Sequence, residues 1–207
     1  MAAPAPGLRA RNKQDKSARL RAAARELFIA RGYDQATTRE IAQRAGIGMG
    51  TLFTYAHDKR DLLFLIVNDE LEALAAGGFD GIDPALPAVA QLTAMFGGFF
   101  EFFAEQPALA RFILREQIFF DSAPQARRFL AARALLLEQV ARRLRGWQAD
   151  GRVRAGIEPE AGARAIVALY AAIVRDCFAE PCPDVGAGLA RLAQMLGLLF
   201  GGIGESA

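Results

Sequence analysis

Along almost the whole chain, apolar residues recur at intervals of three and four, and the segments that carry them are long. This spacing lines one face of an α-helix, whereas a half-buried strand alternates every second residue. It predicts an all-α fold of about nine helices, with no convincing strand and no internal repeat. Glycine and proline mark the boundaries. A first helix is expected over 15–31, with Leu20, Ala24, Leu27 and Phe28 on one face and Gly32 as the left-handed residue that ends it. Thr37-Thr38-Arg39-Glu40 fits a capping box for a short helix over 38–44. Ala45-Gly46-Ile47 then breaks the chain, and Gly48 caps a third helix over 49–55. Ile41, Ala42, Ala45, Ile47 and Leu52 supply the contact that two crossed helices need. A long helix follows over 59–76. Asp83-Pro84 opens the next with an N-cap and an N1 proline. Further helices are expected over 84–105, 107–118, 124–149, 159–179 and 184–202, separated by Pro107, Pro124, Gly151, Pro159 and Pro181-Cys182-Pro183.

The formal net charge of +2 conceals an asymmetry: residues 1–60 carry +7 and residues 61–207 carry −5. Only the front of the chain suits a polyanion. Residues 1–12 read as a flexible basic arm with Arg9 and Arg11, continuing to Lys13 and Lys16. Residues 13–60 read as a helix-turn-helix domain, and 61–207 as a second helical domain.

Other classes fit poorly. Hydrophobic residues make up 53% of the chain, ample for a core, yet its apolar stretches break before the roughly 20 residues of a membrane span, as where Asn68-Asp69-Glu70 follows the run 62–67. The first seven residues show no secretory pattern, so a cytoplasmic protein is expected. Cys177 and Cys182 are too few for a disulfide scaffold or a structural zinc site; two idle thiols or a redox pair are the readings left. No metal or cofactor is expected. Gly46-Ile47-Gly48-Met49-Gly50 lacks the strand and the spacing of a phosphate loop. The single histidine, His57, falls in a loop as a surface or capping residue, so an enzyme is the weakest alternative.

The segment 37–59 has the form of a DNA-reading helix-turn-helix, whose second helix can enter a major groove about 12 Å wide. Thr38 and Lys59 stand at helix N-termini, where a hydroxyl, an ammonium and free N–H groups grip phosphate. Thr51, Thr54 and Tyr55 offer hydroxyls, and Phe53 a flat apolar face for thymine methyls or sugar. The run TTREIAQRAGIGMGTLFTYAHDKRDLL, with its IAxxAG, its GTLxxY and the lysine that follows, resembles the N-terminal DNA-binding domain of TetR-family (TetR/AcrR-type) transcriptional regulators. The resemblance covers most of residues 15–65. It implies that Thr38, Thr51, Phe53, Tyr55 and Lys59 hold phosphates, that Arg39, Met49 and Gly50 approach base edges, and that Thr54 can do either. Met49 stands where the family often has a long polar residue, Gly48 where serine is common, and Ala56 where phenylalanine is frequent. Base reading is therefore expected to be sparse, with Arg39 carrying much of it.

Behind this domain, residues 96–120 are rich in phenylalanine. Helical spacing puts Phe96, Phe99, Phe100 and Phe103 on one face, which simple packing explains. The resemblance implies instead a small-molecule cavity in the middle helices, for which Phe96, Phe99, Phe100, Phe103, Phe112, Phe119 and Phe120 are the candidate lining. Such a wall suits a hydrophobic or amphiphilic effector, such as a drug-like aromatic or a fatty acyl group. The last two helices carry broad apolar faces, from which Ile166, Leu169, Tyr170, Ile173, Leu192, Met195, Leu196 and Leu199 are the candidate dimer interface that the resemblance implies. The resulting expectation is a ligand-responsive regulator: a homodimeric repressor released from a palindromic operator by a hydrophobic small molecule. The alternative is an interaction protein of the same fold without effector response.

Overall fold

The computed structural model describes residues 7–117, 123–179 and 182–201. Among the described residues there are nine helices and no strand: α1 (Leu8–Arg31), α2 (Thr38–Ala45), α3 (Met49–Leu52), α4 (Lys59–Gly77), α5 (Ala88–Ala104), α6 (Pro107–Glu116), α7 (Pro124–Ala149), α8 (Pro159–Ala179) and α9 (Val185–Gly201). The all-α expectation holds. No helix among the described residues is long and apolar enough to cross a membrane. The chain divides into two compact units, Met1–Asp69 with Glu116–Phe129, and Glu70–Arg115 with Leu130–Ala207.

In the first unit, α1 packs on α2, and the buried side chains of Leu20, Ala24, Phe28, Ile41, Ala42, Ala45 and Leu52 form its small core. Leu27, expected on the same face, is only half-buried. Phe28 meets Tyr33 at 5.3 Å between ring centroids. α1 starts well ahead of the expected residue 15 and takes Arg9 and Arg11 into a helix. Residues 8–16 have no apolar stripe for periodicity to detect, but Leu, Arg, Ala, Gln and Lys are strong helix formers. The α1 terminus also differs from expectation. Gly32 has positive φ (81°) but an extended ψ (154°), so the chain leaves α1 outward instead of closing a left-handed cap.

The capping box of α2 is formed: Glu40 N donates to Thr37 Oγ1 at 3.2 Å and Thr37 N to Glu40 Oε2 at 3.1 Å. The Thr37 hydroxyl, which donates to Glu40 Oε2 at 2.8 Å, and the Thr37 N–H, aided by Arg31, hold the Glu40 carboxyl below its usual range. Gly46 takes the left-handed conformation (φ 64°, ψ 39°) that turns the chain from α2 towards α3. α3 ends at Leu52 rather than at residue 55. Its last turn tightens: Thr54 N bonds Thr51 O at 3.1 Å and Tyr55 N bonds Leu52 O at 2.9 Å, both three residues back.

In the second unit, α5 packs against α9 and α8. It begins after Pro87, not at residue 84, because a proline disfavours helical backbone in the residue before it. Asp83 makes a turn instead of a helix cap, its Oδ1 accepting from Ala85 N at 2.8 Å. Buried Gln91 ties this turn down: Nε2 donates to Pro84 O at 3.1 Å and Leu86 O at 2.6 Å, while Oε1 accepts from Arg143 Nε at 2.9 Å.

Candidate DNA-binding surface

The sequence-expected contact residues come together on the outer side of α2, α3 and the turn after it. Arg39 and Gly50 are exposed, Phe53 is 49% exposed, and Thr38, Met49 and Thr51 are half-exposed. Arg39 and the hydroxyls of Thr38 and Thr51 make no hydrogen bond among the described residues. A guanidinium held out from a capped helix has the geometry for a bidentate bond to guanine.

Three other expected phosphate contacts are already engaged within the protein. Thr54 Oγ1 donates to Thr51 O at 2.7 Å, and Tyr55 Oη donates to Lys13 O at 3.1 Å. Lys59 Nζ donates to Asp34 O at 3.0 Å and lies 4.8 Å from the centre of the Tyr33 ring. A hydroxyl has one proton, so in this arrangement Thr54 and Tyr55 have none left for phosphate. An ammonium has three, so Lys59 still has two. Ala56 is fully buried, which fits the small residue found there.

Sequence reasoning missed what holds the recognition turn in place. Asp61, in the first turn of α4, is fully buried. Its Oδ2 accepts from His57 N at 2.8 Å and its Oδ1 from Gln125 N at 2.8 Å. It thus satisfies a free N–H at the start of α7 as well as one in the loop after α3. Gln125 Nε2 in turn donates to Tyr55 O at 3.1 Å, and Asn68 Nδ2 donates to Gln125 O at 2.9 Å. Burial pushes the Asp61 carboxyl up from its ordinary value against the pull of these N–H donors. His57 itself is exposed and enters through its backbone.

In the second unit, Phe96, Phe99, Phe100 and Phe103 are buried, and their rings meet Tyr170 and Phe178. Phe96 stacks on Tyr170 at 4.3 Å, Phe100 lies 6.1 Å from Tyr170, and Phe103 lies 5.8 Å from Phe178. Half-buried Phe112 lies between the guanidinium groups of Arg111 and Arg115, at 5.4 Å and 5.2 Å from its ring centre. Phe119 and Phe120 lie outside the described residues.

The candidate dimer residues separate into two faces. Ile166, Tyr170, Ile173, Leu192 and Leu196 are buried within the protomer and Leu169 is half-buried, whereas Met195 and Leu199 are 39% and 40% exposed. Leu198, which was not among the candidates, is 45% exposed beside them. Both sides of α9 are apolar, so periodicity alone does not tell the core side from the outer one. Cys177 donates to Asp184 O at 3.4 Å, and burial raises its pKa, which disfavours the reactive thiolate. No cluster of His, Cys, Asp or Glu that could hold a metal occurs among the described residues.

Residues 20–66 match the model of the bacterial regulatory proteins of the tetR family. The chain is 38% identical over 53 residues to the HTH-type transcriptional repressor Rv1474c of Mycobacterium tuberculosis, a stretch that is 26% of this chain and 28% of that repressor. Among solved structures, it is similar to Thermus thermophilus FadR, a TetR-family transcriptional repressor in complex with lauroyl-CoA. There the identity is 25%, the TM-score 0.69, and the coverage 92% of this chain and 97% of that one. It shares its fold with the regulator FadR from Bacillus subtilis in complex with stearoyl-CoA, at 19% identity and TM-score 0.68 over 90% of this chain and 99% of that one. The segment 20–66 thus matches the helix-turn-helix of the bacterial regulatory proteins of the tetR family, and the all-α fold that carries it is one shared with TetR-family transcriptional regulators.

Proposed function

We propose that the chain is a homodimeric repressor that reads a palindromic operator through α2 and α3 and is released by an amphiphilic small molecule, with an acyl-CoA the first candidate. The observation that carries the DNA part is the outward cluster of Arg39, Met49, Gly50, Thr51 and Phe53 on a capped, glycine-turned helix pair. In this reading Thr38, Thr51 and Lys59 hold phosphates and Arg39 specifies a base. Arg39→Ala is expected to cost about 1–3 kcal/mol of operator affinity and to relax preference at one base pair per half-site, with little effect on non-specific binding. Fluorescence anisotropy on operator and single-substituted duplexes measures this; an equal loss on every duplex would make Arg39 a phosphate contact instead.

The exposed apolar stripe of Met195, Leu198 and Leu199 on α9 is the surface assigned here to the two-fold partner. Charging its centre with Leu198→Glu is expected to shift the protein from dimer to monomer in sedimentation and to weaken operator binding with it. A variant that stays dimeric would move the interface elsewhere.

For the effector, support comes from the similarity to the lauroyl-CoA complex and from the aromatic interior of α5 and α8. Separation of the stacked Phe96 and Tyr170 rings would make room there for an acyl chain. Linkage requires operator and effector to weaken each other by the same factor, typically about 5–150-fold. Titrating lauroyl-CoA into the protein–operator complex tests this, and an unchanged operator affinity would remove that effector while leaving the DNA reading intact. α4, whose residues fall in both units, is the element proposed to transmit the change.

A further inference from the structure

We propose that the first turns of α1, ahead of the segment that matches the family model, form a second DNA contact: a track of cations for the sugar-phosphate backbone beside the recognition turn. The inference rests on the DNA reading proposed above and adds residues to it.

Three observations converge. An open groove of about 420 Å³ runs between α1 and the recognition turn, lined by Asn12, Lys13, Lys16, Gly50, Thr51, Thr54 and Tyr55. A second concavity of about 500 Å³ continues along α1 past Asp15, Lys16 and Arg19. Asn12, Lys16 and Arg19 are spaced four and three residues apart, so they share one helix face, with Lys13 at its edge. Second, Arg11, Lys13, Lys16 and Arg19 are exposed and make no ion pair among the described residues, unlike Arg21, Arg31 and Arg44, which are paired with Asp69, Glu40 and Glu26. Four cations against the single carboxylate of Asp15 leave a net charge of about +3 on little more than two helical turns, and a polyanion relieves the remaining repulsion. Third, the Tyr55 hydroxyl donates to the Lys13 carbonyl, which fixes this part of α1 against the recognition turn. The bond withdraws Tyr55 from direct phosphate contact and brings Lys13 and Lys16 to the same groove as Thr51, whose hydroxyl is unengaged. Tyr55 in this arrangement is a positioning residue, and the lysines are the phosphate ligands.

The test is the double variant Lys13→Gln and Lys16→Gln in the full chain, assayed by anisotropy on operator and on unrelated duplex across a salt series. Each lost phosphate contact removes about 0.9 from the slope of log affinity on log salt, so the slope should become shallower by about two per half-site. At about 0.15 M salt the affinity should fall roughly tenfold to thirtyfold per half-site, equally for operator and unrelated duplex. Tyr55→Phe, which frees the Lys13 carbonyl and keeps both lysines, should give a smaller loss on both duplexes. If the unaltered protein prefers the operator and the double variant keeps its affinity and salt slope, the cation track is wrong and the DNA reading stands. If the unaltered protein shows no sequence preference, the DNA reading itself fails.

Discussion

Asp61→Ala is expected to destabilise the DNA-reading unit by about 3 kcal/mol, more than removal of any single residue on the contact surface. The carboxylate is buried and accepts from His57 N and Gln125 N. With alanine there, the Gln125 N–H stays buried without an acceptor, which costs about 1–3 kcal/mol, and the part-buried His57 N–H loses its acceptor as well. Asp61→Asn preserves the shape but turns an NH₂ group towards one of those N–H donors, so it should lose roughly half as much. Urea unfolding of the variants measures the penalty, and hydrogen exchange at His57 and Gln125 locates it. Stability within a few tenths of a kcal/mol of the parent protein would show that the bonds contribute little.

The pH dependence has a defined sign. Burial raises the folded-state pKa of Asp61, so the folded form holds this proton more tightly than the unfolded chain. Its contribution to stability is full below the unfolded value and is lost as pH rises through the folded one, and the penalty of Asp61→Asn should grow in acid. Asp69 behaves oppositely. Its bonds from Arg21 and Arg128 lower its pKa, so its stabilising contribution is present above the unfolded value and fades as pH falls through the folded one.

Phe100→Ala is the second large effect, with an expected cost of about 3–5 kcal/mol in the other unit. The ring is fully buried between Tyr170 and Phe178, and a Cβ placed on Gly188 would lie 2.8 Å from its Cε1 atom. α9 therefore approaches α5 through a glycine because a phenylalanine fills the space. Gly188→Ala alone should cost about 1–3 kcal/mol by overpacking, and in combination with Phe100→Leu the two penalties should sum to less than their separate values. Strict additivity in a double-mutant cycle would contradict this packing. The same experiment bears on the effector: a variant with a cavity here that binds lauroyl-CoA more tightly would place the acyl chain among these rings.

How far the sequence alone reached depended on the range of each interaction. The box of Thr37 and Glu40 and the turn at Gly46 are set by neighbours within four residues, and both stand where the sequence put them. The bond from Gln125 to Asp61 joins residues 64 apart, and no local pattern marks a buried carboxylate that caps a distant helix. The early start of α1 has no periodic signature because residues 11–16 are all exposed and periodicity reports only buried faces. On α9, Leu192 and Met195 are equally apolar by composition, and only packing separated the core side from the outer one. The hydroxyls of Thr54 and Tyr55 are legible in the sequence as possible phosphate donors, but their engagement with Thr51 O and Lys13 O is visible only in the folded chain.

The central claim is that the surface of α2 and α3 reads a defined DNA sequence as a symmetric pair. Selection of duplexes from a random library by the purified full chain, followed by sequencing, tests it most directly. The expected result is an inverted repeat whose half-site centres lie about 34–36 Å apart or at a multiple of that distance, and whose enrichment at one position per half-site disappears in Arg39→Ala. A pool that stays random, retained only in proportion to duplex length and lost in salt, would contradict the claim.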